Sequence, residues 1–205
     1  MTGATTRTRT GPMPIEKGEE WGSAGSLAPD APSAASDAEL GRHLSDGVAQ
    51  VRPAGGDLAR TLGVSEASLR RDAAMLLPVD ALDVTLDGEA HRCIAHVVIG
   101  SARRPQVVAA NAAFLGSWNV APRAHPGDGK VDVVSFELGA VDWLKARRRL
   151  PTGTHVPHPD IKVRAVTSWA REFDRPVAVH LDRVGGFRAR HIELQVAPDA
   201  IVVGV

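Results

Sequence analysis

From residue 81 onwards, the chain consists largely of short segments that are rich in β-branched residues and separated by Gly, Pro or Asp. Several of these segments alternate apolar and polar side chains, which suits a strand with one buried face. Many short strands joined by tight turns are typical of an antiparallel sandwich. The sequence therefore predicts a mainly β fold, an antiparallel β-sandwich with one or two short helices. The segments predicted as strands are 81–86, 92–99, 107–113, 131–138, 162–169, 177–181, 190–196 and 200–205.

A two-residue turn separates the first two predicted strands. Asp87 and Gly88 occupy this turn, and glycine tolerates the left-handed backbone conformation that such turns require. We therefore predict that segments 81–86 and 92–99 pair as a β-hairpin.

Helical signals are few in this sequence. Pro151 and Gly153 follow residues 139–150, which predicts a helix that ends there. Ser and Asp side chains that suit N-cap positions precede two further candidate segments. The segments predicted as short helices are 36–44, capped by Ser36 or Asp37, and 65–72, and residues 48–51 are predicted as a short strand.

The composition of the chain changes near residue 47. Residues 1–36 are mostly Gly, Ser, Ala, Thr and Pro, with few large apolar side chains apart from Ile15, Trp21 and Leu27. Such a composition buries too little apolar surface to offset the entropy of ordering the chain. We therefore predict that residues 1–47 form a disordered or weakly structured tail, dispensable for folding, and that residues 48–205 form the folded domain.

Composition also restricts the partner classes and the cellular setting. Lys+Arg and Asp+Glu both number 24, so the net charge does not favour nucleic acid as a partner. The single Cys93 cannot form a disulfide within the chain, which fits a reducing, cytoplasmic setting. No segment approaches the roughly 18 apolar residues of a transmembrane helix, so we expect any membrane contact to be peripheral.

Three segments occur in an order that is more specific than any one of them. Residues 52–63 read Arg-Pro-Ala-Gly-Gly-Asp-Leu-Ala-Arg-Thr-Leu-Gly, residues 111–116 read Asn-Ala-Ala-Phe-Leu-Gly, and residues 121–134 read Ala-Pro-Arg-Ala-His-Pro-Gly-Asp-Gly-Lys-Val-Asp-Val-Val. Together they resemble the diacylglycerol kinase family of lipid kinases. Residues 53–60 are similar to the family's Pro-Gly-Thr-Gly-Asn-Asp-Phe-Ala-Arg segment, although the Asn is missing. The resemblance covers roughly residues 48–205.

This resemblance implies a fold, an activity and cofactors. The fold would be the family's C-terminal β-sandwich, together with the last loop of its N-terminal ATP-binding domain. The family activity is ATP-dependent phosphorylation of a lipid hydroxyl, so ATP and Mg²⁺ are the implied cofactors. Gly55, Gly56 and Asp57 would belong to the nucleotide site, where glycine lets the backbone approach closely. The same three residues also suit an ordinary turn.

The chain departs from the family at two points that phosphoryl transfer needs. The family's Gly-Gly-Asp-Gly-Thr nucleotide loop is absent from the sequence. The family's Asp-Gly-Glu near the C-terminus corresponds to Asp182-Arg183-Val184, so Val184 stands where the general-base Glu is expected. Asp182 is the remaining candidate for a catalytic carboxylate, or else a turn aspartate between segments 177–181 and 190–196.

A loop with the sequence His-Pro-Gly-Asp-Gly-Lys resembles the family's Mg²⁺-binding Asp-Asp-Gly loop. By this resemblance Asp128 would supply a carboxylate, and His125 and Lys130 would supply backbone carbonyl oxygens. The same pattern also occurs in ordinary turns. His155 and His158 resemble half of a zinc site, but no Cys pair or His cluster completes it, so we expect a solvated loop there.

One predicted helix ends in the three basic residues Arg147, Arg148 and Arg149, with Trp143 and Lys145 nearby. Such a cluster could contact an anionic lipid or a nucleotide phosphate. A solvated helix end is the alternative, because cations near a helix C-terminus interact favourably with the helix dipole.

Three functional interpretations remain open at this point. The chain is an active lipid kinase, a non-catalytic lipid- or protein-binding module, or a truncated reading of a longer lipid kinase gene that lacks the N-terminal ATP-binding half. The two departures favour the last two, so we expect a diacylglycerol-kinase-like protein that is incomplete or inactive alone. Expected partners are a lipid or anionic membrane surface, contacted by residues 111–118 and 147–149, or a separate nucleotide-binding half.

Overall fold

The computed structural model describes residues 20–69 and 74–205. Four helices lie in these ranges: α1 (Asp37–Ser45), α2 (Gly56–Thr61), α3 (Glu66–Leu69) and α4 (Ala140–Arg149), which continues into a 3-10 turn over Leu150–Thr152. The strands there are β1 (Ser23–Gly25), β2 (Ser33–Ala34), β3 (Gln50–Pro53), β4 (Ala74–Leu86), β5 (Glu89–Cys93), β6 (His96–Ser101), β7 (Arg104–Ala110), β8 (Phe114–Leu115), β9 (Trp118–Asn119), β10 (Val131–Phe136), β11 (Ile161–Val166), β12 (Ser168–Leu181) and β13 (Val184–Gly204).

One large sheet dominates the fold and confirms the predicted mainly β, antiparallel class. Its strands lie in the order β1-β4-β13-β12-β6-β7-β10-β11, with antiparallel neighbours throughout. Leu82 of β4 and Val131 of β10 share one buried cluster, although four strands separate β4 from β10 in this order. The sheet therefore bends so that its two ends face each other across the core, as in a sandwich.

Alternation of side chains places the core on one face of each long strand. Along β13, Ala189, Ile192, Leu194 and Val196 are buried, while most of their neighbours point outwards and are exposed. Such alternation with a period of two is what the sequence showed in this region. Burial of each large aliphatic side chain contributes about 1.5–3 kcal/mol, so these strands supply much of the apolar stabilisation.

The predicted hairpin forms, but its second strand is shorter than expected. Asp87 and Gly88 make the turn with φ of 49° and 93°, and β4 pairs with β5. β5 ends at Cys93, whereas the prediction continued to residue 99. β6 starts at His96 and pairs with β7 and β12 instead of β4.

Residues 20–47 are part of the folded body, which corrects the predicted tail. β1 pairs with β4, β2 pairs with β3, and α1 buries Leu40 and Leu44 against the apolar cluster that includes Val51. The side chain of Trp21 also donates from Nε1 to the carbonyl oxygen of Pro78 at 2.8 Å. Few large apolar residues suffice here because nearly all of their surface is covered. Residues 1–19, the rest of the predicted tail, lie outside the described residues.

The predicted helices at both ends of the fold are present. Ser36 caps α1, because its side chain accepts a hydrogen bond from the Glu39 N–H and Glu39 in turn accepts one from the Ala35 N–H. α4 ends before Pro151 as predicted, and it buries Trp143 against Phe136. The described part of the predicted helix 65–72 is α3, and residues 70–73 lie outside the described ranges.

Candidate functional site

Two parallel strands and two helices form the part of the fold where a ligand is expected. β2 pairs in parallel with β3, β3 pairs in parallel with β13, and α1 connects β2 to β3. The carboxyl ends of β2 and β3 therefore lie side by side, each close to the start of a helix. Of the predicted nucleotide-site residues, Gly55 precedes α2 as its N-cap, and Gly56 and Asp57 are its first two residues.

The carboxylate of Asp37 occupies the N-terminus of α2. Its Oδ2 accepts a hydrogen bond from the Asp57 N–H at 2.7 Å, and its Oδ1 accepts one from the Leu58 N–H at 3.0 Å. Asp37 is 3% exposed, and burial raises the pKa of its carboxyl group while the two hydrogen bonds oppose that rise. The N–H groups that would bind a phosphate at this helix are thus already bonded within the chain.

The packing of Ala35 and Asp37 against the start of α2 requires glycine at both positions 55 and 56. Gly56 has a φ of +100°, and a Cβ at this position would clash with the carboxylate of Asp37. A Cβ at Gly55 would press on the carbonyl oxygen of Ala35. The glycine pair therefore lets the β2–α1 connection pack against the start of α2.

Gly56→Ala should lower the free energy of unfolding by about 3 kcal/mol or more, because it adds a clash to a strained backbone conformation. The matched control is Gly63→Ala, where φ is +71° and no atom lies within 4 Å of the added Cβ. That change should cost about 1 kcal/mol through backbone strain alone. Urea unfolding of both variants tests this, and equal costs would show that the Asp37 contact does not constrain Gly56.

The motif at residues 57–60 is bound directly to the Phe114–Gly116 segment. Asp57 Oδ1 accepts from the Gly116 N–H at 2.8 Å, and the Arg60 guanidinium donates to the Gly116 carbonyl oxygen at 2.5 Å. The same guanidinium lies 4.0 Å from the centre of the Phe114 ring. Two of the segments on which the family resemblance rests therefore meet in space, although more than fifty positions separate them in the sequence.

His96 lies beneath this contact, and sequence reasoning missed it. Its Nε2 is 2.9 Å from the Ala112 carbonyl oxygen, which can only accept, so Nε2 carries the proton. Its Nδ1 has no hydrogen-bond partner and faces Asp57 Oδ2 at 4.0 Å. Complete burial lowers the pKa of His96 to about 4, although the Asp57 carboxylate acts in the opposite direction. A His at the start of an apolar run was the one available signal.

The contribution of His96 to stability should fall in acid, because His96 is buried and neutral. The unfolded chain protonates this residue below pH 6.5, whereas the folded chain does so only near pH 4. The stabilisation is therefore complete above pH 6.5 and is lost as the pH falls towards 4. Between pH 7 and pH 4.5, wild type should lose about 2 kcal/mol more than His96→Gln, which does not titrate. Urea unfolding at both pH values measures this, and parallel losses in the two proteins would contradict it.

Asp182 is a buried turn residue with every carboxylate oxygen engaged. Its oxygens accept hydrogen bonds from the N–H groups of Ile94, Ala95 and His96 at 2.8 to 3.0 Å. Burial raises its pKa to about 6, while these hydrogen bonds lower it. This contact also explains why β5 ends at Cys93, since the next backbone N–H groups turn towards Asp182. The geometry favours the turn interpretation over the catalytic one, and Val184 nearby is 49% exposed.

The predicted Mg²⁺ loop is a sequence of local turns. Asp128 Oδ1 accepts from the Lys130 N–H at 3.0 Å, and His125 Nδ1 accepts from the Gly127 N–H at 3.3 Å. Among residues 20–69 and 74–205, no group of three or more His, Cys, Asp or Glu side chains is arranged to hold a metal ion. A cation at Asp128, with the carbonyls of His125 and Lys130, stays a prediction.

Asp80 anchors this loop, and no sequence motif indicated this role. Its carboxylate accepts from the N–H groups of Gly129 at 2.7 Å and Asp199 at 3.0 Å, and its carbonyl oxygen accepts from the Asn111 side chain at 2.8 Å. Asp80 is fully buried, and burial raises its pKa to about 6. The Asp80 carboxylate thus links β4 to the Gly129 loop and to the Asp199 turn, which are far apart in the sequence.

Of the two histidines of the half zinc motif, His155 is buried and does not lie in a solvated loop as predicted, whereas the residues on both sides of His158 are exposed. His155 is 1% exposed, its Nε2 is 3.1 Å from the Val120 carbonyl oxygen, and its ring stacks on Phe136. His158 is half-buried, and its Nδ1 accepts from the Asp160 N–H. His155 is buried because the aromatic cluster under α4 covers it.

Part of the predicted basic cluster lies beside Trp118. A cavity of about 390 Å³ is lined by Trp118 and Arg147 together with Arg183 from the β12–β13 turn. Trp118 in turn contacts Trp143 edge to face, with ring centres 6.0 Å apart. The segments that we expected to face an anionic partner are therefore neighbours in the fold. None of the helices in the described ranges has the length and apolar character needed to cross a membrane.

Comparisons with known proteins give structural matches only. No family model and no curated protein sequence matches the chain. The chain is similar to solved diacylglycerol kinases. Three structures from Bacillus anthracis strain Sterne, one described as a diacylglycerol kinase and two as a "putative diacylglycerol kinase", match 75% of this chain, with identities of 14, 12 and 10% and TM-scores of 0.47, 0.46 and 0.48. The match covers 65, 67 and 68% of those chains, so this chain spans about two thirds of their length.

Proposed function

We propose that this chain is a diacylglycerol-kinase-like protein that does not transfer phosphate from ATP by itself and acts as a binding module. The observation that carries the proposal is that the carboxylate of Asp37 closes the loop at Gly55 and Gly56, which we call the glycine loop. Asp37 satisfies the N–H groups of Asp57 and Leu58, which are the donors that a nucleotide phosphate would need at α2.

Phosphoryl transfer depends on groups that hold and neutralise phosphate. Backbone N–H groups, cations and Mg²⁺ supply nearly all of the catalysis, because the protein mainly positions the phosphates and stabilises their charge. Here the loop presents the carboxylate of Asp37 instead of free donors. A second carboxylate, Asp57, lies directly beside it, so added phosphate would meet negative charge. The residues present therefore do not fit ATP at this loop.

A general base for the acceptor hydroxyl is also missing from the position where the family motif has one. Val184 has no proton acceptor, and both oxygens of the neighbouring Asp182 are bonded to backbone N–H groups. A positioned general base contributes about 10²–10⁴-fold to a rate. Even with ATP bound elsewhere, transfer to a lipid hydroxyl would lack this contribution.

The proposal leaves three binding roles to the chain. Asp128 offers one carboxylate to Mg²⁺, with the carbonyls of His125 and Lys130 as further oxygen ligands. The basic residues near Trp118 offer a surface for an anionic lipid, which would place the protein in the cytoplasm at the membrane surface. A separate nucleotide-binding half is the alternative partner, and it would supply the ATP site that this chain does not form.

The full chain should show no kinase activity towards diacylglycerol. The test is incorporation of radiolabelled phosphate from Mg²⁺-ATP into mixed lipid micelles. Loss of the phosphate-binding donors and of the general base removes the main contributions to catalysis. Turnover in the usual enzyme range of about 1–10³ s⁻¹ would refute the proposal.

A further inference from the structure

A cavity separate from the glycine loop carries positive charge and an aromatic wall. It lies between the β8–β9 hairpin, α4 and the β12–β13 turn, and its volume is about 390 Å³. This volume falls in the range of small-molecule sites, which is roughly 300–1,000 Å³. Of the described residues that line it, none is acidic. The polar and aromatic ones are Ser117, Trp118, Arg147, His180 and Arg183.

The β12–β13 turn requires a positive φ at Arg183, a conformation that arginine does not favour. Asp182 and Arg183 form the two central residues of the β12–β13 turn, with φ of 47° and 67°. Turns of this type favour Asn, Asp and Gly, and a left-handed conformation costs other residues about 1–2 kcal/mol. A strained residue of this kind indicates a role for its side chain.

The guanidinium of Arg183 lies over the floor of the cavity. Its Nη1 is 3.9 Å from Asp57 Oδ2, and it lies close to Gly116. Asp57 is buried and its other oxygen accepts from the Gly116 N–H, so it orients Arg183 from below. The Arg183 side chain is 63% exposed and keeps donors available towards the cavity.

Arg147 and Trp118 complete the arrangement from α4 and the β8–β9 hairpin. Arg147 is the member of the Arg147–Arg149 cluster that lines the cavity. Trp118 is half-buried and is held by its edge-to-face contact with Trp143, so it forms a fixed apolar wall. Two guanidinium groups and one flat apolar surface thus face the same space.

We propose that this cavity binds a phosphate monoester of a small organic group. Guanidinium groups bind phosphate oxygens through paired, charge-assisted hydrogen bonds, and two of them line this cavity. The organic group would pack on Trp118. This inference rests on the anionic-ligand role proposed above for the basic residues near Trp118 and names its ligand class, and it does not depend on the absence of kinase activity.

Titration calorimetry of the full chain with phenyl phosphate and with inorganic phosphate tests the site. Phenyl phosphate should bind saturably and more tightly than inorganic phosphate, because its ring packs on Trp118. Arg183→Gly and Arg147→Ala should each weaken binding about tenfold or more. Arg164→Ala, a matched change at an exposed arginine of β11 that does not line the cavity, should leave the affinity unchanged.

Arg183→Gly separates a binding role from a structural one. Glycine relieves the positive φ, and the Arg183–Asp57 contact involves an exposed side chain, so the variant should be at least as stable as wild type. Lost binding with unchanged or raised unfolding midpoint supports the site. Absence of saturable binding to wild type, or affinity that survives both arginine substitutions, would overturn it.

Vesicle co-sedimentation identifies the source of the phosphate. Phosphatidylcholine vesicles carry either phosphatidic acid, a phosphate monoester, or an amount of phosphatidylserine that gives the same surface charge. Binding to phosphatidic acid alone, lost in Arg183→Gly, supports a lipid headgroup. Binding of phenyl phosphate without vesicle binding supports a soluble metabolite. The site would be rejected if the protein did not bind phenyl phosphate and bound both vesicle types equally, with no change in Arg183→Gly. General charge attraction would then explain the vesicle binding.

Discussion

A chain that begins at Gly47 should not unfold cooperatively, in contrast to a chain that begins at Glu20. The deletion removes α1 with the buried side chains of Leu40 and Leu44, and it uncovers Val51 and Leu58, which are fully buried. Each such side chain contributes about 1.5–3 kcal/mol, so the loss approaches the 5–15 kcal/mol that typically stabilises a domain.

Thermal unfolding followed by circular dichroism measures this effect. The chain that begins at Glu20 is the reference, because it retains β1, β2 and α1. A broad or absent transition for the shorter chain is the expected result. A cooperative transition within a few degrees of the reference would restore the interpretation of residues 1–47 as a dispensable tail.

Asp37→Ala should destabilise the protein by about 3 kcal/mol. The substitution leaves the N–H groups of Asp57 and Leu58 buried without an acceptor, and each unsatisfied group costs about 1–3 kcal/mol. Asp37→Asn keeps one carbonyl oxygen and should fall between wild type and Asp37→Ala. Asp174→Ala, a change of the same kind at an exposed carboxylate, should lie within about 0.5 kcal/mol of wild type.

Urea unfolding of the three variants establishes the order. A cost for Asp37→Ala no larger than that for Asp174→Ala would mean that the Asp37 carboxylate does not close the glycine loop. The Gly56→Ala and Asp37→Ala variants report on the same contact from its two sides. Their combined effect should therefore be smaller than the sum of the single effects, because each change already disrupts that contact.

The strands and tight turns of the fold could be predicted from the sequence because their signals are local. The alternation along residues 190–196 lies within β13, and Asp87-Gly88 makes the predicted turn between β4 and β5. The end of β5 could not be predicted. It depends on Asp182, whose carboxylate reaches the Ile94 N–H from a position 88 residues away.

Composition did not predict that residues 20–47 would be part of the folded structure. Small residues such as Ala34 indicated a chain without a core, yet Ala34 is fully buried between neighbouring elements. The parallel pairing of β2 with β3 depends on tertiary contacts, and β2 is only two residues long. Composition measures how much apolar surface a segment carries, not how completely the rest of the protein covers it.

The sequence indicated the glycines of the candidate site, but it did not indicate the group that contacts them. Gly55 and Gly56 indicated a close approach by another group, and the structure has one. The approaching group is the carboxylate of Asp37, twenty residues upstream, which the sequence indicated only as a possible helix cap. His96 and Asp80 carried no motif, because their roles come from burial beside residues that are distant in the chain.

We propose that the Asp37 carboxylate takes the place of nucleotide phosphate at the start of α2. The most direct test of this proposal is a calorimetric titration of the full chain with Mg²⁺-ATP at neutral pH. We predict no saturable binding up to about 1 mM, the upper end of ordinary enzyme substrate affinities. One-to-one binding of Mg²⁺-ATP in the micromolar range would show that the glycine loop, or another part of the chain, still forms a nucleotide site.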